Sequence, residues 1–212
     1  MTVSSHPSPT ADRQAHWDGA YAQGVHTRSW FQPEAPTSLE LLDRLAVAPG
    51  DRVIDVGGGA SPLVDGLLDR GLTDLTVLDV SPTALTTAQQ RLGERAAGVT
   101  WLAADILTWI PTSTYDVWHD RAVLHFMSTP DQRQAYRECL ESATAPGSRL
   151  VIGTFALDGP EFCSGLPVTR YGVDGLAEFV GEQWRLVDSI GHTHHTPSGA
   201  AQSFTWVAMV RR

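Results

Sequence analysis

Three acidic residues of this chain stand where a carboxylate can meet a ligand. Asp55 lies in the apolar run Val53-Ile54-Asp55-Val56, Asp79 closes Leu75-Thr76-Val77-Leu78, and Asp105 closes Trp101-Leu102-Ala103-Ala104. The first is followed by Gly57-Gly58-Gly59-Ala60, and then by Ser61-Pro62 and the amphipathic stretch 63–70. An apolar run with an acid, then glycines, then a helix start is the order strand, loop, helix. The acid can accept hydrogen bonds from a ligand, and the glycines remove side chains where the ligand must pass close to the backbone. A second reactive group follows the fourth apolar run: His119, Asp120, Arg121 and His125. An imidazole that titrates near neutrality can take a proton and a neighbouring carboxylate can orient it, so His119, Asp120 and His125 are the candidate catalytic residues.

The elements that must position these groups alternate. Apolar runs at 52–56, 74–79, 98–103, 115–118 and 149–155 are separated by helical stretches at 62–70, 82–92 and 130–143, the last two opened by Ser81-Pro82 and Thr129-Pro130. Such alternation predicts right-handed crossovers and a doubly wound α/β fold, a parallel sheet with helices on both faces. Two runs at 184–191 and 204–210, joined by a polar loop with Pro197 and Gly199, predict a terminal antiparallel hairpin. Upstream, Thr37-Ser38-Leu39-Glu40 reads as a capping box for a helix that ends at Pro49-Gly50. Residues 1–12, rich in Ser, Pro and Thr, read as a disordered tail, leaving 13–212 as one domain.

Composition narrows the partners. The formal charge of the 212-residue chain is -9 and no Lys/Arg-rich run occurs, which argues against nucleic acid or an anionic membrane as partner. No apolar run approaches the roughly 20 residues of a membrane span, and the start lacks the regions of a signal peptide, so a cytoplasmic protein is expected. Cys139 and Cys163 have neither CxxC spacing nor the look of a disulfide framework. Eight histidines include His192, His194 and His195, but no pair has i,i+4 helical spacing, and no metal is expected.

The glycine loop separates two cofactor classes. A dinucleotide fingerprint needs a third glycine where Pro62 stands, which disfavours NAD and an NAD-linked oxidoreductase. The pattern D-x-G-x-G followed by Ala60-Ser61 resembles instead the first motif of class I S-adenosylmethionine-dependent methyltransferases. Asp79, Asp105-Ile106, the stretch Tyr115 to Phe126 and Pro146-Gly147 resemble the later motifs in order. The resemblance implies a seven-stranded, mostly parallel sheet ending in the antiparallel hairpin. It implies S-adenosylmethionine as cofactor, held by Asp55, Gly57, Gly58, Gly59, Asp79, Val80, Asp105, Ile106, His119 and Trp30, with S-adenosylhomocysteine as product.

Methyl transfer from a sulfonium is an in-line displacement in which positioning and desolvation supply much of the rate. The acceptor pocket is therefore sought in the loops beyond the strand ends. Arg121 is one candidate contact. The Gly/Pro-rich segment 158–171 adds Cys163, Arg170 and Tyr171, with Arg170 a bidentate grip for an anion. The segment 13–36 adds Trp17, Tyr21 and Phe31 and is similar to the aromatic lids of thiopurine and thiol methyltransferases and of some lysine methyltransferases. The expectation is transfer to an S, N or O nucleophile of a small molecule, with a protein lysine methyltransferase or a non-catalytic cofactor-binding module as alternatives.

Overall fold

The structure is a computed structural model that describes residues 8–212; Met1–Pro7, most of the expected disordered tail, lie outside the described residues. The rest of that tail is ordered. Ser8 accepts a hydrogen bond from the Ala11 amide, Pro9 occupies the first turn, and helix α1 runs Pro9–Ala22.

A second helix, α2 (Pro36–Arg44), precedes the sheet. The capping box expected at Thr37 does not form: Pro36 sits in the first turn, so the helix starts two residues earlier and its N-cap, Ala35, makes no side-chain bond. Nor does the helix reach Pro49-Gly50. The two later signals hold, with Ser81 capping the helix Pro82–Leu92 through the Ala84 amide and Thr129 forming a full capping box with Gln132 on the helix Pro130–Ser142.

The strands are β1 (Arg52–Val56), β2 (Asp74–Asp79), β3 (Val99–Ala103), β4 (Val117–Arg121), β5 (Arg149–Phe155), the two-residue pair β6 (Phe162–Cys163) and β7 (Leu166–Pro167), β8 (Trp184–His195) and β9 (Ala201–Arg211). Helices α3 (Leu63–Asp69), α4 (Pro82–Leu92), α5 (Pro130–Ser142) and α6 (Val173–Val180) connect them. Seven strands form one sheet in the order β3-β2-β1-β4-β5-β9-β8; the first five are parallel, and β9 and β8 add antiparallel pairings.

Successive strand residues face opposite sides, and each side has its own core. Val53, Val77, Val117 and Val151 pack with Leu41 and Leu42 of α2 and Leu63 and Leu67 of α3. Ile54, Leu78, Trp118 and Ile152 pack with Tyr136 and Leu140 of α5 and Leu176 of α6.

Strand β4 runs to Arg121, three residues past the expected end at 118. His119, Asp120 and Arg121 are therefore strand residues, and alternation sends Asp120 to the α5 side, away from His119 and Arg121. There Asp120 is fully buried: its Oδ1 accepts from the Val123 amide (2.8 Å), and its Oδ2 accepts from the Leu124 amide (2.9 Å) and the Tyr136 hydroxyl (2.6 Å). These bonds clamp a turn in which Ala122 takes φ 69°, a left-handed conformation that costs a non-glycine residue about 1 kcal/mol or more. Burial, offset by the Tyr136 hydrogen bond, raises the Asp120 pKa to about 6. Asp120→Ala should lower the unfolding free energy in urea by about 3 kcal/mol, since it strands two amides and a hydroxyl at about 1–3 kcal/mol each. An alanine variant as stable as the parent would contradict the clamp.

Candidate active site

The C-terminal ends of β1 to β4 open into one cleft beneath α1. Among the residues expected from sequence, Asp55, Gly57, Gly58, Asp79, Val80, Asp105, Ile106, His119 and Arg121 line it from the sheet, and Trp17, Tyr21, Trp30, Phe31 and Cys163 line it from above and beside. The glycines are required by close approach as well as by conformation. Gly57 takes φ 65° with Val123 packed on its Cα, and a Cβ on Gly58 would come 2.5 Å from Asp55 Oδ2. At Gly59 (φ 44°) a Cβ would come 2.6 Å from Tyr21 Oη and 2.8 Å from Asp79 Oδ2.

Asp55 is held from behind. His119 Nδ1 lies 2.7 Å from Asp55 Oδ1, and its Nε2 lies 2.9 Å from Ser38 Oγ on α2. His119 is 2% exposed, so both ring nitrogens are spent on a buried chain that fixes the carboxylate. Its expected part as a general base is replaced by a positioning one, and Asp120 cannot orient it from the opposite face of β4. His125 is likewise corrected. It begins no pocket wall but packs against Phe126 and Phe155, fully buried; burial together with the Arg121 charge lowers its pKa to about 3, so it stays a neutral, weak base.

Asp79 accepts the Ser81 amide (2.8 Å), and burial raises its pKa to about 7, with the charges of Asp55 and Asp18 adding to the rise. Asp105 accepts the Leu107 amide on Oδ1 (3.0 Å), while its Oδ2 pairs with the Arg13 guanidinium and the Thr10 hydroxyl, both on α1. Asp18 of α1 bonds the Ser81 hydroxyl (2.5 Å) and the Thr83 amide (3.2 Å) at the start of α4. Behind α1 the aromatics interlock: Trp17 meets Phe126 at 5.1 Å and Trp30 at 5.8 Å, and Tyr21 meets Trp30 at 5.9 Å. His194 of β8 donates through Nε2 to the Ser29 carbonyl (2.7 Å), fastening the far end of this segment.

The loop 158–171 divides. Its β6–β7 hairpin brings Cys163 to the cleft as a thiol whose pKa burial raises to about 11. Arg170 bonds the Gly159 carbonyl and Glu161, closing the loop on itself, and Tyr171 is buried against Phe179. Neither lines the cleft, which corrects their expected part in binding the acceptor. Sequence reasoning missed Arg13, Gln32, Ser38, Phe126 and Met127. Arg13 and Asp18 fall on a polar helix without a buried residue, so no periodicity marked them.

Comparison with known proteins bears on this cleft. Residues 53–147 match the family model described as "Methyltransferase domain". That stretch is a methyltransferase domain. The chain is 24% identical over 175 residues to the mouse (Mus musculus) eEF1A lysine and N-terminal methyltransferase, covering 81% of this chain and 24% of the relative. It is 24% identical over 158 residues to malonyl-[acyl-carrier protein] O-methyltransferase from Paenibacillus sp., covering 71% of this chain and 56% of the relative. It thus spans between a quarter and somewhat over half of these curated relatives. A solved structure of Burkholderia thailandensis 1,6-didemethyltoxoflavin-N1-methyltransferase, with 1,6-didemethyltoxoflavin and S-adenosylhomocysteine bound, superposes with TM-score 0.71 at 21% identity, covering 99% of this chain and 93% of that one. The likeness shows that the methyltransferase domain and the elements around it share the class I methyltransferase fold. In this methyltransferase fold α1 lies across the strand tips, and few contacts hold it. Arg13→Ala or Asp18→Ala should speed amide exchange over 9–22 while leaving the global urea midpoint within error. Unchanged exchange in both variants would contradict the tethering.

Proposed function

We propose that the protein transfers a methyl group from S-adenosylmethionine to an S, N or O nucleophile of a small molecule. The observation that carries this reading is the convergence of Asp55, Asp79, Asp105 and the glycine turn on one cleft beneath an aromatic segment. These residues fit the cofactor: the carboxylates match amino and hydroxyl donors, and the Gly57 to Gly59 cradle is a surface that any Cβ would fill. When bound, the cofactor supplies a sulfonium methyl that an aligned lone pair can displace.

The chain's own residues then have separable tasks. Asp79 accepts from the ribose hydroxyls, Asp105 from the adenine amino group once Arg13 yields, and Asp55, fixed by His119, from the methionine end. Segment 13–36 acts as the lid of a single unit spanning 13–212, excluding water from the reacting centre. Within the described cleft no free base faces the acceptor: His119 has both nitrogens bonded, and Asp120 and His125 lie outside it. The acceptor must therefore arrive already nucleophilic, and orientation supplies the catalysis. Two unpaired cysteines fit a reducing, cytoplasmic setting, and no described helix is long and apolar enough to cross a membrane.

Calorimetric titration tests the reading. S-adenosylhomocysteine should bind and NADH should not; the reverse would overturn it. Because the Asp79 carboxyl is half-protonated near pH 7 and must be ionised to accept two hydroxyls, affinity should rise with pH, being about tenfold weaker at pH 6 than at pH 8. Asp79→Asn should bind weakly and without this dependence. The sign reverses for the free protein: with its folded pKa raised, Asp79 favours folding at low pH, and this stabilisation is lost as pH rises from about 4 through 7.

A further inference from the structure

One charge in the cleft has no counter-charge. Arg121 ends β4 opposite Gly153 of β5, and its guanidinium lies 5.5 Å from the ring centroid of Phe204 on β9. Nη1 donates to the Trp30 carbonyl at 3.1 Å, while Nη2 is shielded from solvent and has no hydrogen-bond partner among the described residues. The other cleft-lining arginine, Arg13, is paired with Asp105. Arg121 is in no ion pair among the described residues, and Asp55, the one carboxylate close enough to act on it, gives its Oδ1 to His119. Burial alone pulls the guanidinium pKa down to about 10, leaving it charged at neutral pH. A desolvated cation with an unmet donor is costly, and the structure offers it only a carbonyl and an aromatic face.

The direction of the side chain tells which ligand it serves. From β4 its guanidinium lies over Phe204 of β9 and near Cys163 of the β6–β7 hairpin, with Tyr21 and the already engaged Asp55 as its other neighbours. The walls there are apolar: Phe126, Met127 and Trp17 complete the lining. A planar guanidinium with one free edge suits a carboxylate better than any neutral group.

We propose that Arg121 anchors an anionic group, a carboxylate by fit, on the methyl acceptor, so that the substrates are small organic acids with an apolar body. The inference rests on the methyltransferase reading above and deepens it. The anchoring carboxylate lies against Arg121 while a second atom of the acceptor, or the carboxylate's other oxygen, faces the methyl group. Where the carboxylate's own oxygen, or an atom that already carries a free lone pair and no proton to lose, takes the methyl, the thioether leaves and no base is needed, which agrees with the lack of a free one.

The test uses the full chain loaded with S-adenosylhomocysteine. Benzoate, phenylacetate, indole-3-acetate and hexanoate are each compared with their primary amides by thermal shift, in the parent, in Arg121→Gln and in Arg121→Lys. Gln keeps a donor for the Trp30 carbonyl and Lys keeps the charge, so the two separate a scaffolding part from an anionic anchor. Acids should raise Tm and amides should not; the acid effect should fall at least about tenfold in affinity in R121Q and partly return in R121K, while S-adenosylhomocysteine affinity stays the same in all three. Stabilisation by amides as strong as by acids, or none by any acid, would overturn the proposal. So would weaker S-adenosylhomocysteine binding in R121Q, which would assign the guanidinium to the cofactor's own carboxylate. Failure of the parent to bind S-adenosylhomocysteine at all would instead remove the methyltransferase reading. Should R121Q not fold, the acid–amide comparison in the parent and R121K decides.

Discussion

The cleft depends on one buried carboxylate that does no chemistry. Asp120 holds the turn after β4 through two amides and the Tyr136 hydroxyl, and the turn it holds is strained at Ala122. The clamp seats Val123 on the Cα of Gly57, so the turn after β4 and the turn after β1 are fitted to each other. It also fixes where β4 stops, and with it the directions of His119 and Arg121. A strand that ended three residues earlier would leave both side chains on a loose loop, and Asp55 without its partner.

Around this clamp the molecule gathers charges that water would otherwise hold. Three carboxylates share one wall, each less than a tenth exposed, and each is partly satisfied: Asp55 by His119, Asp79 by the Ser81 amide, Asp105 by Arg13 and Thr10. The satisfaction is incomplete at Asp79, whose proton stays on until about pH 7. Unmet acceptors on one side and an unmet guanidinium on the other describe a cleft shaped for a ligand bearing donors at one end and, beyond it, an acid.

How much of this was legible follows from particular residues. The parallel strands other than the edge strand β3 were readable because their runs are almost wholly buried, and Asp55, Asp79 and Asp105 were readable because they stand at or near the ends of the apolar runs. The end of β4 was not, because His119, Asp120 and Arg121 look like loop residues until tertiary pairing with Ile152 and Gly153 extends the ladder. Chemical type alone suggested a His-Asp couple; strand alternation separates neighbours to opposite faces and forbids it. Helix α1 carries no buried residue and α6 shows an apolar face over only eight residues, too short a window for periodicity to declare itself. Ser38 stood only as an inner residue of the expected capping box; with the start of α2 moved to Pro36 it is a buried helix residue that partners His119. The acceptor-side roles of Arg170 and Tyr171 rested on side-chain chemistry, and the fold spends Arg170 on closing its own loop and Tyr171 on packing against Phe179 of α6.

The most direct measurement of the central claim is a crystal structure of the protein grown with S-adenosylhomocysteine. The account predicts the nucleoside in the cleft over Gly57 to Gly59, with its ribose hydroxyls on Asp79, its adenine amino group on Asp105 in place of Arg13, and the Asp55–His119–Ser38 chain unbroken. A nucleoside bound elsewhere, or bound with Arg13 still paired to Asp105 and the ribose away from Asp79, would contradict it.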